Sequence, residues 1–286
     1  MAAKSDNWAR GSNQYQKRTK PQRPGQDKPE VALSHSTDEQ QRAETGIVWR
    51  SESLAWELLA ASSTDHARAR FRAALPEYIW DAAALEGNPY TLPEVQTLLE
   101  GVTVSGHRIY DQNQILALNE AFNYVDALVG EGTFGFRKDV SDAVHLRVAV
   151  HEAIESGHFR GEGTVNGGGL VALGDLGTYQ ASTPGENGEN LIEEHRRILD
   201  YLRELPDPRE QALAYFCAAT RAQFYFDGNK RTSRLMMAGH LMASGFDAIS
   251  ISARRRLEYN EYLSTLFDTG DATTLMAFII DCRPQT

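Results

Sequence analysis

Cysteine is scarce in this chain of 286 residues, which contains only Cys217 and Cys282. Two cysteines so far apart make neither a disulfide framework nor a set of metal ligands, so each is expected to be a small buried apolar residue. Long apolar runs are also missing. None approaches the roughly 18 residues that a membrane-spanning helix needs, and no signal-peptide apolar segment follows Met1. We therefore expect no membrane contact and a cytoplasmic location.

Basic residues are outnumbered, with 29 Lys and Arg against 39 Asp and Glu and a net charge of −10. Residues 1–30 nevertheless hold seven basic and three acidic residues. The remaining residues therefore carry a larger net negative charge than the whole chain. An acidic body argues against a nucleic-acid-binding surface on the folded domain. The basic segment is polar and nearly free of large apolar residues, which predicts a disordered tail over 1–45. Contact of this tail with nucleic acid or an acidic partner is the alternative.

After residue 45 the apolar residues repeat at helical spacing, which predicts a mainly α-helical fold. One such stripe is formed by Ile115, Leu118, Phe122, Val125 and Val129. With 41% hydrophobic residues the chain can bury one sizeable core, or one core with a smaller appended module. His151 and His195 fall on apolar faces, and we predict that each is a core histidine with a hydrogen-bond partner rather than a metal ligand.

A glycine-rich segment, residues 157–186, interrupts the helical pattern. Nine glycines separate short β-prone pieces such as Thr164-Val165 and Leu170-Val171, which predicts a hairpin or flap. A mobile surface loop is the alternative. The glycines do not match the G-x-G-x-x-G pattern of dinucleotide-binding loops.

The stretch from Asp227 to Arg234, DGNKRTSR, is a turn that opens directly into an apolar-periodic helix. The start of a helix presents unpaired N–H groups and the positive end of the helix dipole, and a glycine lets an anion approach the backbone closely. Arg231 and Arg234 lie on one face of the helix and can donate bidentate hydrogen bonds to phosphate oxygens. Asp227 can hold Mg²⁺ against the same phosphates. The residues indicate a nucleotide or polyphosphate site.

The segment from Gln223 to Arg234 resembles the signature of the Fic (Fido) family, H-x-F-x-[D/E]-G-N-x-R-x-x-R. In that family the histidine deprotonates a hydroxyl of a target protein, which then attacks a phosphate of ATP. Gln223 stands at the histidine position and Tyr225 at the phenylalanine position. A glutamine amide has no useful pKa near neutrality and cannot act as a general base.

The resemblance implies a Fic-type helical bundle with a small β-hairpin flap. It implies an N-terminal helical region over 46–104, a Fic core over 105–250 and C-terminal helices over 251–286. Mg-ATP would be the cofactor, with Asp227 as the metal ligand. The 157–186 flap would hold a protein target by strand addition. The residues implied in ATP binding are Gly228, Asn229, Lys230, Arg231 and Arg234.

Upstream, residues 82–88 (AAALEGN) resemble the inhibitory motif [S/T]-x-x-x-E-[G/N] of one Fic class. In that class the glutamate pairs with the second signature arginine and occupies the place of the γ-phosphate. Glu86 and Arg234 would be the matching pair here, and Ala82 replaces the expected Ser or Thr. Alternatively, Glu86 simply ends a helix, with Gly87 as its cap. Both readings can hold together.

Lys230 leaves the transferred group open. AMP-transferring members of the family usually have glycine at this position, whereas the Doc branch, which transfers a phosphoryl group, has lysine. Gly228 follows the AMP-transferring pattern. Two hypotheses result: a transferase impaired by Gln223, or a non-catalytic Fic-fold protein (a pseudoenzyme) that retains a nucleotide site for regulation or partner binding. The sequence leaves the target and any homo-oligomer undetermined.

Overall fold

The computed structural model of the chain describes residues 38–284, and residues 1–37 and 285–286 lie outside the described part. Most of the predicted tail, 1–45, therefore falls outside it. Its last eight residues, however, form a helix, 38–45, which we call α1. Gln41 and Thr45 are buried, and the side-chain oxygen of Gln41 accepts a hydrogen bond from the Trp49 N–H at 3.1 Å. This contact with the body corrects the predicted end of the tail.

Within the described residues the fold is mainly α-helical, as predicted. Its helices are α1 (38–45), α2 (Thr64–Ala73), α3 (Leu75–Leu85), α4 (Leu92–Leu99), α5 (Ile109–Gly130), α6 (Lys138–Val148), α7 (Glu189–Glu204), α8 (Pro208–Ala222), α9 (Asn229–Ala243), α10 (Arg256–Thr269) and α11 (Thr273–Asp281). Within this described part, none is long and apolar enough to cross a bilayer.

Helix α9, which starts in the DGNKRTSR segment, lies at the centre of the molecule. It packs against α8, α5, α6 and α2, and its residues Leu235, Met236, Met237, Leu241 and Met242 are all at most 2% exposed. A helix that is apolar on all sides is buried in this way. The start of α9 is therefore fixed by the core, which gives the motif a rigid support.

The predicted hairpin is present inside the glycine-rich segment. Strands β1 (Leu170–Ala172) and β2 (Thr178–Gln180) pair antiparallel, with Val171 opposite Tyr179. The short turn between them contains Gly177 at a φ of 91°, a backbone conformation that favours glycine. The ring of Tyr179 contacts Phe267 of α10, so the hairpin packs against this C-terminal helix.

The two histidines on apolar stripes have different surroundings. His195 is 2% exposed and packs edge-on against the rings of Phe159 and Phe224, so it is a core residue. Its Nε2 has no hydrogen-bond partner within the described residues, contrary to the prediction. His151 is exposed, because α6 ends at Val148 and the chain turns away from the core. The prediction of a core His151 is therefore wrong.

The buried His195 should make stability depend on pH. Burial, with a smaller contribution from the charge of Lys138, lowers the pKa of His195 from 6.5 to about 4. Between these values the unfolded chain binds a proton that the folded protein does not, so stability is lost as the pH falls from 6.5 towards 4. We expect the free energy of unfolding, measured by urea denaturation, to fall less steeply across this pH window in His195→Leu than in the parent. Parallel pH profiles of the two proteins would contradict this.

Candidate functional site

The turn between α8 and α9 is fixed by two residues in left-handed conformation. Gln223 follows α8 with a φ of 51°, and Gly228 precedes α9 with a φ of 72°. A Cβ at position 228 would lie 3.0 Å from that of Ala149, so both conformation and space favour glycine here. No side chain caps the helix at Gly228. The first N–H groups of α9 are consequently available to an anion.

The side chain of Asn229 closes this turn. Its Oδ1 accepts from the Tyr225 N–H at 2.9 Å, and its Nδ2 donates to the Tyr225 carbonyl at 2.7 Å. The same Nδ2 lies 3.3 Å from Oε1 of Gln223. Nε2 of Gln223 donates to the Thr220 carbonyl at 2.7 Å. Both ends of the Gln223 amide are thus bonded to the protein, and the amide offers no group that can take a proton.

His145 supports the turn from α6, a role that the sequence did not reveal. Its Nδ1 accepts from the Gly157 N–H at 2.9 Å, so the proton is on Nε2, which donates to the Asp227 carbonyl at 2.8 Å. The ring stacks on Tyr225 with 3.7 Å between centroids. Burial is the main cause that lowers the pKa of His145 to about 4; the Asp227 hydrogen bond opposes it, and the nearby charge of Arg231 contributes a smaller lowering. His145 is therefore a neutral support for the backbone.

The hydroxyl of Tyr225, at the position where the signature has phenylalanine, has partners of its own. It donates to Oδ1 of Asp142 at 2.9 Å and lies 2.8 Å from Oγ of Ser141. A buried hydroxyl needs such partners. The departure from the signature at this position is accommodated inside the core.

The carboxylate of Glu86 forms ion pairs with two cationic side chains of α9. Its Oε1 accepts from Nη2 of Arg234 and its Oε2 from Nζ of Lys230, each at 3.0 Å. Glu86 also ends α3, followed by Gly87 at a φ of 89°, so the helix end and the ion pair occur together. Burial opposes ionisation, but the charges of Lys230, Arg234 and Arg231 outweigh it and lower the pKa of Glu86.

Arg231 has a carboxylate partner that the sequence did not predict. Its Nη1 and Nη2 donate to the two oxygens of Glu152 at 2.5 and 2.9 Å, and the two side chains are 3% and 5% exposed. Asp227 lies further away, at 3.6 Å from Nη2, and its side chain is 61% exposed. No motif marks Glu152, which lies in the turns after α6. Only the packing of α6 against α9 brings it to this place.

A cleft of about 690 Å³ opens over the start of α9. Asp227, Gly228, Asn229, Lys230 and Arg231 lie along it, together with Gln223, Glu86 and strand β1. Its far wall is one face of α10, which consists of Asn260, Leu263, Ser264 and Phe267. This face was not predicted from the sequence, although its i, i+3, i+4, i+7 spacing is that of one helix side. The cleft thus has a charged end at α9 and a more apolar end at α10.

The charged end has donors that fit a polyphosphate. Arg234 contacts Glu86 beside the cleft but does not itself line it. Its Nε and Nη1 are buried and lack a hydrogen-bond partner in the described part of the chain, although buried donors are normally paired. The uncapped start of α9 adds N–H groups and the positive end of a dipole. The exposed carboxylate of Asp227 suits a Mg²⁺ that is also held by phosphate oxygens. The residues present therefore fit a Mg-nucleotide.

Proteins named protein adenylyltransferase Fic are similar in sequence. The relative from Culex quinquefasciatus is 31% identical over 215 residues, covering 73% of this chain and 40% of the relative. The one from Drosophila erecta is 30% identical over 246 residues, covering 83% and 47%. The chain spans less than half the length of these curated relatives. No protein-family model matches it.

Two solved structures share the fold. A fragment of Fic-1 from C. elegans superposes with a TM-score of 0.62 at 21% identity, covering 89% of this chain and 71% of that one. A Fic-domain-containing signaling protein from Bacteroides thetaiotaomicron superposes with a TM-score of 0.62 at 17% identity, covering 86% and 92%. The sequence relatives and the structural neighbours are all Fic proteins. The chain belongs to the Fic (Fido) family.

Arg160 ties the hairpin to the signature segment. It is fully buried, and its guanidinium donates to three carbonyls: Gln223 at 2.6 Å, Gly167 at 3.0 Å and Ser182 at 3.0 Å. Gly167 and Ser182 lie on the two sides of the hairpin. One cation thus fixes both sides of the hairpin base relative to the start of the signature.

Arg160→Lys should loosen the hairpin, because an ammonium cannot reproduce a planar fork that reaches three carbonyls. A hydrogen bond from a charged donor contributes about 1.5–3 kcal/mol. We expect a lower Tm and faster protease cleavage within 164–182. Arg203→Lys, at an exposed surface pair with Asp200, is the matched control. Cleavage of the Arg160 variant at the parent's rate would show that the hairpin is held by other contacts.

Proposed function

We propose that the chain binds the phosphates of Mg-ATP at the start of α9. The family reaction, transfer of an AMP or phosphoryl group to a protein hydroxyl, would be impaired because Gln223 replaces the histidine. The observation that carries the proposal is the uncapped, glycine-opened start of α9, which lines a 690 Å³ cleft together with Lys230 and Arg231. The names of the sequence relatives support adenylyl transfer as the family reaction.

In this proposal Gly228, Asn229, Lys230, Arg231 and Arg234 form the phosphate site. Backbone N–H groups near Gly228 donate hydrogen bonds to phosphate oxygens, and the cations balance their charge. Asp227 holds the metal. A bound Mg²⁺ neutralises phosphate charge and orients the phosphate for attack.

Gln223 limits the chemistry. It lines the cleft where a target hydroxyl would be activated, and its amide can orient that hydroxyl but not deprotonate it. Loss of a general base costs on the order of 10²–10⁴-fold in rate, whereas positioning and phosphate electrostatics remain. The result would be a slow transferase.

A non-catalytic nucleotide-binding protein is the second candidate. The observation that favours it is the Gln223 amide, whose two ends are bonded to Thr220 and Asn229 and which is thereby tied into the turn. Such a protein would bind Mg-ATP to regulate or recruit a partner without transferring a group.

The hairpin is the proposed contact for a protein target. Each of its two strands has an unpaired edge within the described residues, to which an extended segment can add. Leu170, on β1, is 64% exposed and lines the cleft. A segment paired along β1 would therefore pass the start of α9.

Glu86 is proposed to obstruct productive binding, because it holds Arg234 and Lys230 where phosphate charge would be. We expect Glu86→Gly to bind Mg-ATP about tenfold or more tightly than the parent in calorimetry, since a like charge next to the phosphates is removed. Glu100→Gly is a matched control: Glu100 also ends a helix before a glycine with positive φ, but it is exposed. Equal affinities of the two variants would remove the obstructive role.

Gln223→His should raise the rate of transfer if the rest of the site is competent. The variant's pH profile should gain an ionisation near 6.5, about the ordinary pKa of histidine. The measurement is self-modification with ATP labelled at the α- or the γ-phosphate, which also distinguishes AMP from phosphoryl transfer. Gln223→Ala is the control for loss of the amide alone. A parent as fast as the histidine variant would show that another group is the base. ATP binding without labelling in either protein would favour the non-catalytic candidate.

A further inference from the structure

Carboxylates from three parts of the chain surround the cations of the phosphate site. Glu86 contacts Arg234 and Lys230, Glu152 contacts Arg231, and Asp227 lies at the edge of the group. Three positive side chains thus face three negative ones. An incoming polyphosphate meets a site whose charge is already balanced within the protein. Removal of Glu86 alone would free Arg234 and Lys230 but would leave Arg231 engaged.

Glu152 holds Arg231 more completely than Glu86 holds Arg234. Each terminal nitrogen of Arg231 donates to a different oxygen of Glu152, whereas only one nitrogen of Arg234 donates to Glu86. The Arg231–Glu152 pair is also less exposed, at 3% and 5% against 9% and 16%. Charge-assisted bidentate bonds in a buried setting are strong. A phosphate can gain Arg231 only if Glu152 moves or shares it.

Two amide side chains connect Glu152 to the Glu86 loop. Nε2 of Gln114, on α5, donates to Oε2 of Glu152 at 3.1 Å. Oε1 of Gln114 accepts from Nδ2 of Asn88 at 2.8 Å. Asn88 lies two residues after Glu86, and Asn88 and Gln114 are both buried. Displacement of the Glu86 loop would therefore disturb a hydrogen bond that positions Glu152. Displacement of Glu152 would in turn disturb the loop that carries Glu86.

A second cavity, of about 190 Å³, lies between the two carboxylates. Glu86 and Glu152 both line it, together with Asn88, Gln114 and Arg231. Since it borders both ion pairs, it provides space into which either carboxylate can withdraw. Tyr110 also lines it, and its hydroxyl donates to Oε2 of Glu152 at 3.0 Å.

We propose that Glu152 is a second obstructing carboxylate, which withholds Arg231 from phosphate as Glu86 withholds Arg234, and that Asn88 and Gln114 couple the two so that release of one favours release of the other. The inference rests on the proposed binding of nucleotide phosphates at the start of α9.

The test is calorimetry of Mg-ATP with the parent, Glu152→Gln, Glu86→Gly and the double variant. Glu152→Gln keeps the shape of the side chain and removes its charge, so the Kd should fall about tenfold or more. Glu120→Gln, at an exposed position of α5, is the control for loss of one negative charge. Without ATP the Tm of Glu152→Gln should fall, because Arg231 loses its buried counter-charge. With ATP the Tm should rise more than that of the parent.

Coupling is measured as non-additivity of the two substitutions. The fold-change in Kd of the double variant should differ from the product of the two single-variant fold-changes. This difference should vanish in a Gln114→Leu background, where the amide link is cut but no charge changes. Independent effects in both backgrounds would overturn the coupling. If Glu152→Gln fails to fold, Tyr110→Phe loosens the hold on Glu152 with all charges kept, and should tighten ATP binding.

The outcomes separate this inference from the proposed function. If Glu86→Gly tightens Mg-ATP binding while Glu152→Gln, folded by its Tm, leaves it equal or weaker, then Glu152 merely stabilises Arg231 and the second obstruction is overturned. The proposed nucleotide site would stand. If no protein in the set binds Mg-ATP, including the double variant, both the site and the inference fall.

Discussion

Two guanidinium groups, those of Arg231 and Arg234, are buried at the start of a central helix, and a buried charge is tolerated only when it is paired and hydrogen-bonded. This requirement explains much of the arrangement around α9. The end of α3 contributes Glu86, and the turns after α6 contribute Glu152. Gln114 of α5 donates a further hydrogen bond to Glu152, and the amide of Asn88 donates to Gln114. The packing of four elements is organised around two positive charges.

The same burial links stability to binding. A site that keeps its cations buried needs internal carboxylates as long as no external anion is present. In the proposed phosphate site these carboxylates would compete with the ligand, and a displacement of Glu86 or Glu152 would then change the affinity for phosphate, which is a physical basis for regulation. The unpaired Nε and Nη1 of Arg234 show that the internal carboxylates satisfy this group only in part.

The backbone of the site depends on a different set of contacts. Gly228 provides the left-handed conformation at the start of α9, and the Asn229 side chain bonds back to Tyr225. His145 fixes the Asp227 carbonyl from α6, and Arg160 joins the hairpin base to Gln223. These contacts hold the turn and the hairpin in place without involving the side chains of Lys230, Arg231 or Arg234.

The sequence by itself determined the elements whose information is local. Helical periodicity predicted a mainly α fold, the glycine-rich segment predicted the hairpin, and the spacing of Asp227, Gly228, Arg231 and Arg234 predicted a turn that opens a helix. Only the tertiary structure decided which groups meet from distant parts of the chain. Glu152 and His145 carry no local signature, and the α10 face of the cleft is one apolar stripe among several. His151 follows an apolar stripe but is exposed because α6 ends three residues earlier, and residues 38–45 are polar in composition yet form a helix against the body. Periodicity records which face of an element is apolar, whereas the partner of a buried charge depends on how elements pack, which no single segment encodes.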